Sequence, residues 1–411
     1  TKACSRRMNR YRKKRRTDRL SEIAAKILEK IKDVAQDHLE VPIQKAVVTV
    51  PAYFSDSQRQ AVKDAGKLID LEVVRIINEP TAAALAYGVG KGLHEKVLIY
   101  DLGGGTFDVS IIEIRDRTFE VKATGGDIFL GGLDFDAALI RYVLDDFRAK
   151  HDIDLSRDPV AMQRIKDLAE RTKIDLSTRS EAAFNIPFIA MTPFGQPLNI
   201  EMRMTRDLLE ELTGGLVDRT LETIASVMVD AGLGTSDIDE ILLVGGQTRM
   251  PLLQERLTRY FGKAPSKAVH PDEAVAIGAA LYAHSLQDDT NLRLQLLDVI
   301  PMAIGVEKAN GEMHVVFARN SAIPNAKVLP VTTSYDGQTE VAIRVYQGDH
   351  PIARDNELLG ELILSGLSPG PARSAKLEVT FDVSIEGILR ANARDVLSGR
   401  TVTSNIRIGP R

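Results

Sequence analysis

A turn between two apolar strands, predicted at residues 97–100 and 109–114, carries residue types that bind phosphate and metal. The candidate ligands in this turn are Asp101, Gly103, Gly104, Gly105, Thr106 and Asp108. Consecutive glycines allow backbone N–H groups to face phosphate oxygens, and a threonine hydroxyl and two carboxylates suit hydrated Mg²⁺. On these residues alone, a glycine-rich hairpin without a ligand explains the pattern equally well.

Two further groups of residues could serve the same chemistry. Glu79 lies where a predicted strand gives way to a helix, a position that faces the ligand cleft in many α/β folds and that also suits a simple helix-capping acid. Glu170, Lys173 and Ser177 share one helix face. Spacing alone favours a surface salt bridge between Glu170 and Lys173.

A second glycine turn repeats the design of the first. Gly245 and Gly246 follow a buried strand at residues 240–244 and precede a helix that begins near Pro251, whose N-terminus offers free N–H groups. The sequence around each of the two turns therefore combines a strand, a glycine turn and helices. This repetition predicts paired α/β lobes around a cleft.

The remaining patterns predict the elements that position these residues. Apolar spacing predicts a helix over residues 21–39, and Ser55 with Gln58 forms a capping-box signature for a helix through about residue 69. From residue 300 onward the pattern is all β. Asp336-Gly337 and Glu386-Gly387 each lie between two strand-like runs, which predicts two hairpins, and a last strand is expected at residues 401–408. Short strands at this spacing are typical of a β-sandwich.

Composition restricts the class of protein. A chain of 411 residues with 44% hydrophobic and 27% charged residues fits two to three soluble globular domains. The single cysteine, Cys4, excludes a disulfide framework, and the scattered histidines argue against a zinc enzyme. Without a long apolar run or a visible signal peptide, we expect no membrane segment and a cytoplasmic location.

The charge is unevenly distributed along the chain. Basic residues dominate residues 1–16, where no acid occurs, although the net charge of the whole chain is −4. The acidic body argues against a nucleic acid partner. The basic arm is explained either as a disordered or foreign tail, which its lack of apolar periodicity favours, or as a segment that touches phosphates.

Six stretches, in order, resemble the signature sequences of the seventy-kilodalton heat-shock chaperones of the DnaK type. They are VTVPAYFSDSQRQAVKDAG (residues 48–66), RIINEPTAAALAYG (75–88), DLGGGTFDVS (101–110), LGGLDFD (130–136), LLVGGQTRMP (242–251) and HPDEAVAIGAA (270–280). The resemblance covers residues 20–408. It implies α/β, actin-like ATPase lobes, here with the first lobe incomplete, followed by an all-β peptide-binding sandwich.

The resemblance also implies roles for individual residues around ATP or ADP and Mg²⁺. Asp101 orders the metal shell, residues 103–106 hold the β- and γ-phosphates, and Glu79, Thr106 and Asp108 are the catalytic candidates. The residues around the adenosine are Glu170, Lys173, Ser177, Gly245, Gly246, Arg249 and Asp272. With the resemblance, the ligand role of Glu170 and Lys173 is favoured over the surface salt bridge.

The same resemblance implies residues that couple nucleotide to peptide binding. The coupling candidates are Pro51 and Arg59, together with Leu296, Leu297 and Asp298 in an apolar interdomain linker. The peptide groove is implied at Ile304, Val306, Val331, Val341 and Ile343. Within it, an extended segment is held by backbone hydrogen bonds and apolar pockets.

Three departures from the family pattern modify these expectations. A first phosphate loop of the DLGTT type, with its lysine, has no counterpart before residue 21, so we expect weakened ATP binding and slight turnover. The helical lid that follows the sandwich in the family has no counterpart in the given sequence. Ala309 and Ser334 stand where the family usually has the Met and Ala that arch over bound peptide, which predicts a more open groove.

The resulting hypothesis is an ATP-dependent molecular chaperone of protein folding and the stress response that binds unfolded or extended polypeptides, with impaired hydrolysis in this chain. The alternative is a non-hydrolysing peptide-binding or regulatory paralogue. For the chaperone, the resemblance implies a J-domain co-chaperone and a nucleotide-exchange factor as partners. We expect no membrane partner. The expected organisation is an arm at residues 1–20, a partial nucleotide-binding domain at 21–288, a linker at 289–299 and a β-sandwich at 300–411.

Overall fold

A computed structural model describes residues 20–287, 293–396, 399 and 401–402. The basic arm at residues 1–16, the expected linker residues 289–292 and most of the expected last strand lie outside the described residues. The helices are α1 (Leu20–Leu39), α2 (Asp56–Lys67), α3 (Glu79–Gly88), α4 (Gly132–His151), α5 (Pro159–Leu176), α6 (Arg206–Ala231), α7 (Pro251–Phe261) and α8 (Ala274–Ser285). None of these helices combines the length and apolarity that a bilayer span requires.

The described strands lie between and after these helices. They are β1 (Lys45–Val50), β2 (Glu72–Asn78), β3 (His94–Leu102), β4 (Phe107–Arg115), β5 (Thr118–Asp127), β6 (Glu181–Met191), β7 (Pro197–Thr205), β8 (Glu240–Val244), β9 (Gln295–Val299), β10 (Ile304–Glu307), β11 (Met313–Phe317), β12 (Ala322–Ile323), β13 (Asn325–Val331), β14 (Glu340–Gln347), β15 (Glu357–Ser365), β16 (Leu377–Val383), β17 (Leu389–Asp395) and β18 (Thr401–Val402).

The chain divides into two compact units. The first comprises Thr1–His94, Ile111–Thr124 and Val275–Arg411, and the second comprises Glu95–Ser110 and Gly125–Ala274. The boundaries predicted for a nucleotide-binding domain, a linker and a sandwich stay a prediction.

In the second unit, two buried strands run side by side. Strand β3 pairs in parallel with β8, so that Asp101 lies opposite Val244. Buried Tyr100, next to Asp101, donates a 2.9 Å hydrogen bond from its hydroxyl to Thr220 Oγ1 on α6. Because the carboxyl ends of parallel strands meet at one edge of a sheet, the turns after β3 and β8 lie next to each other.

In the first unit, helix starts follow the predicted local signals. The Ser55 N–H donates to Gln58 Oε1 at 2.9 Å before α2, as the capping-box signature predicts, and α2 ends at Lys67, two residues earlier than expected. Helix α3 begins at Glu79, and Pro80 lies in its first turn, where a missing N–H costs nothing.

The β-rich part of the first unit forms the predicted sandwich. Its two sheets have the strand orders β11-β10-β14-β15 and β13-β16-β17-β18, and side chains of both form one core, including Phe317, Val345 and Phe381. The hairpin at Glu386-Gly387 is confirmed, because β16 and β17 pair across it. The hairpin expected at Asp336-Gly337 is wrong: β13 pairs with β16 and β14 with β15, so this turn carries the chain from one sheet to the other.

Within the described part of the expected linker, Gln295–Val299 form a strand. Strand β9 pairs in parallel with β5 through Thr118–Glu120 and antiparallel with β12 through Val299 and Asp298. The short apolar run at residues 294–299 therefore gains its backbone partners from elements far away in sequence. The α/β elements and the β-sandwich agree with the predicted fold class.

Candidate functional site

The two glycine turns of the second unit are in direct contact. An ideal Cβ built on Gly245 would overlap the Leu102 carbonyl oxygen and would lie 2.9 Å from Asp101 Oδ1. Gly245 also has a φ of +86°, which a side chain would strain. Only glycine therefore permits this approach, and it brings the turn after β8 against the end of β3.

The phosphate-turn candidate is held on one side by the start of α4. Gly103 N–H donates to Thr106 O at 3.1 Å, and the carbonyl oxygens of Gly103 and Gly104 accept from the N–H groups of Gly132 and Leu133, each at 2.9 Å. Gly104 is exposed, and no atom lies within 4 Å of an ideal Cβ placed on it. The turn is thus fixed in shape and open to a ligand.

Two carboxylates lie at the ends of this turn. Asp101 is 8% exposed and Asp108 is 1% exposed. The described residues contain no group of three or more His, Cys, Asp or Glu side chains that could hold a metal by itself. This donor set fits Mg²⁺, which proteins bind through one or two carboxylates while phosphate and water complete the shell.

Lys173 is paired with Asp136, which corrects the salt bridge that helix spacing favoured. Lys173 Nζ lies 2.9 Å from Asp136 Oδ1 and donates a 3.0 Å hydrogen bond to Gly132 O. Burial raises the pKa of Asp136, Lys173 opposes this effect, and the nearby Glu170 reinforces it. Glu170 itself is exposed, and Ser177 Oγ donates a long 3.4 Å bond to Lys173 O.

The other adenosine candidates lie at the turn after β8. Arg249 Nη2 is 2.5 Å from Asp272 Oδ2, and both side chains are about half exposed. Gly245 N–H donates to Pro271 O at 3.0 Å, which joins this turn to the loop that carries Asp272. Gly246 is exposed beside Asp272. The structure therefore groups Gly245, Gly246, Arg249 and Asp272.

Glu79 belongs to the first unit, where it is half-buried as the first residue of α3. Its neighbour Asn78, the N-cap of α3, takes part in a network with two coupling candidates. Arg59 is 4% exposed and donates to Phe54 O (3.1 Å), Ala52 O (2.9 Å) and Asn78 Oδ1 (2.8 Å). Pro51 O accepts from Phe54 N–H at 3.1 Å, in the loop that Arg59 holds.

Asp298 completes this network from strand β9. Its Oδ2 accepts from Asn78 Nδ2 at 2.8 Å and from Thr81 Oγ1 at 3.2 Å, and its Oδ1 accepts from Val299 N–H at 2.8 Å. Burial raises the pKa of Asp298 despite these donors. Leu296 and Leu297 are half-buried on the same strand. The structure thus brings Arg59 and Asp298 together through Asn78.

Sequence reasoning missed the acidic residues that join α2 and β2 to the sandwich. Glu386, in the β16–β17 turn, forms an ion pair with Lys63, and its Oε1 accepts from Ile76 N–H at 3.1 Å. Asp56 Oδ2 accepts from Leu389 N–H at 2.6 Å, while Ser57 Oγ donates to Glu357 Oε1 at 2.6 Å. The turn signal at Glu386-Gly387 located one of these residues but gave no sign of its partners.

The peptide-groove candidates lie together in the sandwich. Ile304, Val306, Val341 and Ile343 are buried in its core, and Val331 packs against them. Ala309 and Ser334, the residues expected at the arch, are exposed. These apolar candidates therefore form one cluster, and small residues occupy the two expected arch positions.

A family model and several known proteins match almost the whole chain. The family model described as Hsp70 protein matches residues 8–410. The chain is 52% identical over 383 residues to the chaperone protein DnaK of Thermotoga petrophila, Thermotoga maritima and Thermotoga neapolitana alike. These matches cover 92% of this chain and 64% of each relative, so the chain spans less than two thirds of the length of the curated relatives it matches.

Proposed function

The chain belongs to the Hsp70 family, and from that premise we propose that it is part of an ATP-dependent chaperone that binds exposed apolar segments of unfolded or extended polypeptides. One observation carries the nucleotide half of this proposal. The glycine turns after β3 and β8 touch at Gly245 and Leu102, so phosphate and nucleoside groups can be bound side by side in one unit.

In this proposal, the backbone of residues 103–106 binds the β- and γ-phosphates, and Asp101 orients the water shell of Mg²⁺. Bound Mg²⁺ supplies charge neutralisation at the phosphates. Glu170, Lys173, Ser177, Arg249 and Asp272 surround the adenosine. Support comes from the fixed, open turn and from the grouping of Arg249 with Asp272 beside Gly246.

Hydrolysis requires groups that position the attacking water and stabilise charge on the transferred phosphate. We assign this task to Glu79, Thr106 and Asp108. Thr106 closes the turn through its carbonyl, and Asp108 is held at the start of β4 with almost no exposure. Glu79, the first residue of α3 in the first unit, is included on the family resemblance.

The sandwich is proposed to hold the client at Ile304, Val306, Val331, Val341 and Ile343. Pro51, Arg59, Leu296, Leu297 and Asp298 couple this groove to the nucleotide. The network from Arg59 through Asn78 to Asp298 supports this role, because it connects strand β9 to the residue that precedes Glu79. A J-domain co-chaperone, a nucleotide-exchange factor and a cytoplasmic location belong to the same proposal.

The test uses the full chain and a fluorescent apolar peptide. Because we expect weakened ATP binding and slight turnover in this chain, the test uses saturating ATP with Mg²⁺, which should accelerate peptide release at least tenfold without hydrolysis. We expect Asp101→Asn to abolish that acceleration while peptide affinity without nucleotide stays the same. Asp145→Asn, an exposed carboxylate on α4, is the matched control and should behave like the wild type. Peptide binding that ATP leaves unchanged would contradict the proposal and favour a non-hydrolysing peptide-binding paralogue.

A separate variant tests the catalytic assignment. Glu79→Gln should lower the single-turnover rate of ATP hydrolysis by 10²-fold or more, in the range of a lost general acid–base group, with ATP affinity retained. An unchanged rate would remove Glu79 from the catalytic set without affecting nucleotide binding.

A further inference from the structure

A nearly buried ion pair joins α4 to α5 beside the phosphate turn. The side chains of Lys173 and Asp136 are 12% and 9% exposed, and their Nζ and Oδ1 atoms lie 2.9 Å apart. Asp136 lies in the first turns of α4, one turn after Gly132, whose carbonyl also accepts from Lys173. A single ammonium group thus holds two points of α4.

The same ammonium group is connected to both glycine turns. An ideal Cβ on Gly132 would lie 3.0 Å from Lys173 Nζ and 3.1 Å from Gln247 Oε1, and Gln247 belongs to the turn after β8. Gly132 N–H donates to Gly103 O at 2.9 Å. Lys173, the start of α4 and the two turns therefore meet around Gly132.

The carboxylate of Asp136 fixes Lys173 in this place. An ammonium group with little exposure needs a charged partner, since removing one member of such a pair leaves the other desolvated and uncompensated. Glu170, one turn away on α5, is exposed, whereas Asp136 supplies the short contact. Without Asp136, Lys173 would gain from turning out to solvent and would release Gly132 O.

We propose that Asp136 is a positioning residue that holds Lys173 between α4 and α5 and thereby sets how fast a bound nucleotide dissociates. This inference rests on the proposed function, because it takes Lys173 as a nucleotide contact. Asp136 acts through Lys173 and touches no reacting atom. Its loss affects the residence time of the nucleotide and leaves the chemistry of the bound state unchanged.

The test measures dissociation of a fluorescent ADP from the full chain by stopped-flow competition with unlabelled ADP. Asp136→Asn, which preserves shape, should raise the dissociation rate about tenfold, because it removes the charge that compensates the nearly buried Lys173 ammonium. The single-turnover rate of ATP hydrolysis at saturation should stay within about twofold of the wild type. Lys173→Met should raise dissociation similarly, and adding Asp136→Asn to it should have no further effect.

The matched control is Asp146→Asn, which breaks a surface pair with Lys150 on the same helix and should leave dissociation unchanged. If the wild type binds ADP and Asp136→Asn releases it at the wild-type rate, the positioning role is wrong and the proposed function stands. If Asp136→Asn adds its full effect to Lys173→Met, Asp136 does not act through Lys173. If the wild type binds no ADP, the positioning role and the proposed function are both overturned.

Discussion

The Asn78 side-chain amide donates a 2.8 Å hydrogen bond to the Asp298 carboxylate, which connects the cap of α3 to strand β9 across 220 residues of sequence. Asn78 also accepts from Arg59 and directly precedes Glu79. A displacement of β9 therefore alters the hydrogen bonding at the first turn of α3. This provides a physical route by which the segment before the sandwich influences a catalytic candidate.

Replacement of Asp298 by asparagine should loosen β9. Both carboxylate oxygens accept from donors, so an amide NH₂ group at this position must face either Val299 N–H or the Asn78 and Thr81 donors. We expect a loss of roughly 1–3 kcal/mol in the attachment of β9. Hydrogen exchange of the β9 amides should accelerate at least several-fold, whereas Asp382→Asn, exposed on β16, should have no effect.

Arg59→Lys should destabilise the first unit although the charge is preserved. Its guanidinium bonds to Phe54 O, Ala52 O, Asn78 Oδ1 and Glu386 O, a set that one ammonium group cannot reproduce. The expected cost is about 2–4 kcal/mol, since buried acceptors lose their donors. Thermal unfolding should show a lower midpoint, and Arg390→Lys, exposed on β17, serves as the control. An unchanged midpoint would show that water or neighbouring groups replace the lost donors.

Acidification should strengthen the contact between α2 and the β16–β17 hairpin. Burial raises the pKa of Asp56 from 3.8 to about 6, Leu389 N–H and Arg59 oppose this rise, and Glu357 reinforces it. Because the contact raises the pKa of Asp56, this carboxyl group binds a proton more tightly when α2 and the hairpin are in contact than when they are apart. The extra stability is present below the ordinary pKa and is lost as the pH rises through about 6.

Spin labels at the exposed positions Lys67 and Arg390 would report this contact. The fraction of molecules with a short distance between the two labels should increase as the pH falls from about 7.5 to about 5.5. Cys4 is replaced by serine so that only these two positions are labelled. Asp56→Asn should remove most of the pH dependence, with a remainder from Asp298, whose pKa burial also raises. An equal pH dependence in Asp56→Asn would assign the effect to other groups.

Gly245→Ala should damage the proposed nucleotide site. The new methyl group would overlap the Leu102 carbonyl and crowd Asp101, at a φ of +86° that alanine disfavours. We expect ADP affinity to fall more than tenfold. Gly214→Ala in α6 is the matched control, because open space surrounds it and alanine favours helix by about 0.5–1 kcal/mol. Unchanged affinity in Gly245→Ala would contradict the close contact of the two turns.

Local sequence signals predicted local structure in this chain, whereas the strands that pair with one another were harder to predict. Asp336-Gly337 and Glu386-Gly387 carry the same turn signal, yet only the second joins paired strands. The dipeptide sets a reversal of the chain, whereas burial of two apolar faces decides which strands pair. For the same reason the apolar run before residue 300 gave no sign that β5 and β12 pair with it as a strand, while its role as a linker stays a prediction.

The candidate site shows the same division. The glycines of both turns were predicted from sequence because backbone approach requires that residue type. The partner of Lys173 was not, because helix spacing compares only residues of one helix, and Asp136 lies on another helix where the pair is more buried. The partners of Asp56 and Glu386 were missed because a helix start and a turn signal predict only local structure, whereas these contacts span about 300 residues of sequence.

Strand β9 is attached by main-chain pairing on both sides, and the Asp298 side chain connects it to the start of α3. Successive residues of a strand point to opposite faces, so the number of residues before Asp298 in the strand decides to which face its carboxylate points. One added residue upstream would keep the backbone ladder and turn the carboxylate away from Asn78, whereas two would preserve its direction. The number of residues in this segment is therefore constrained.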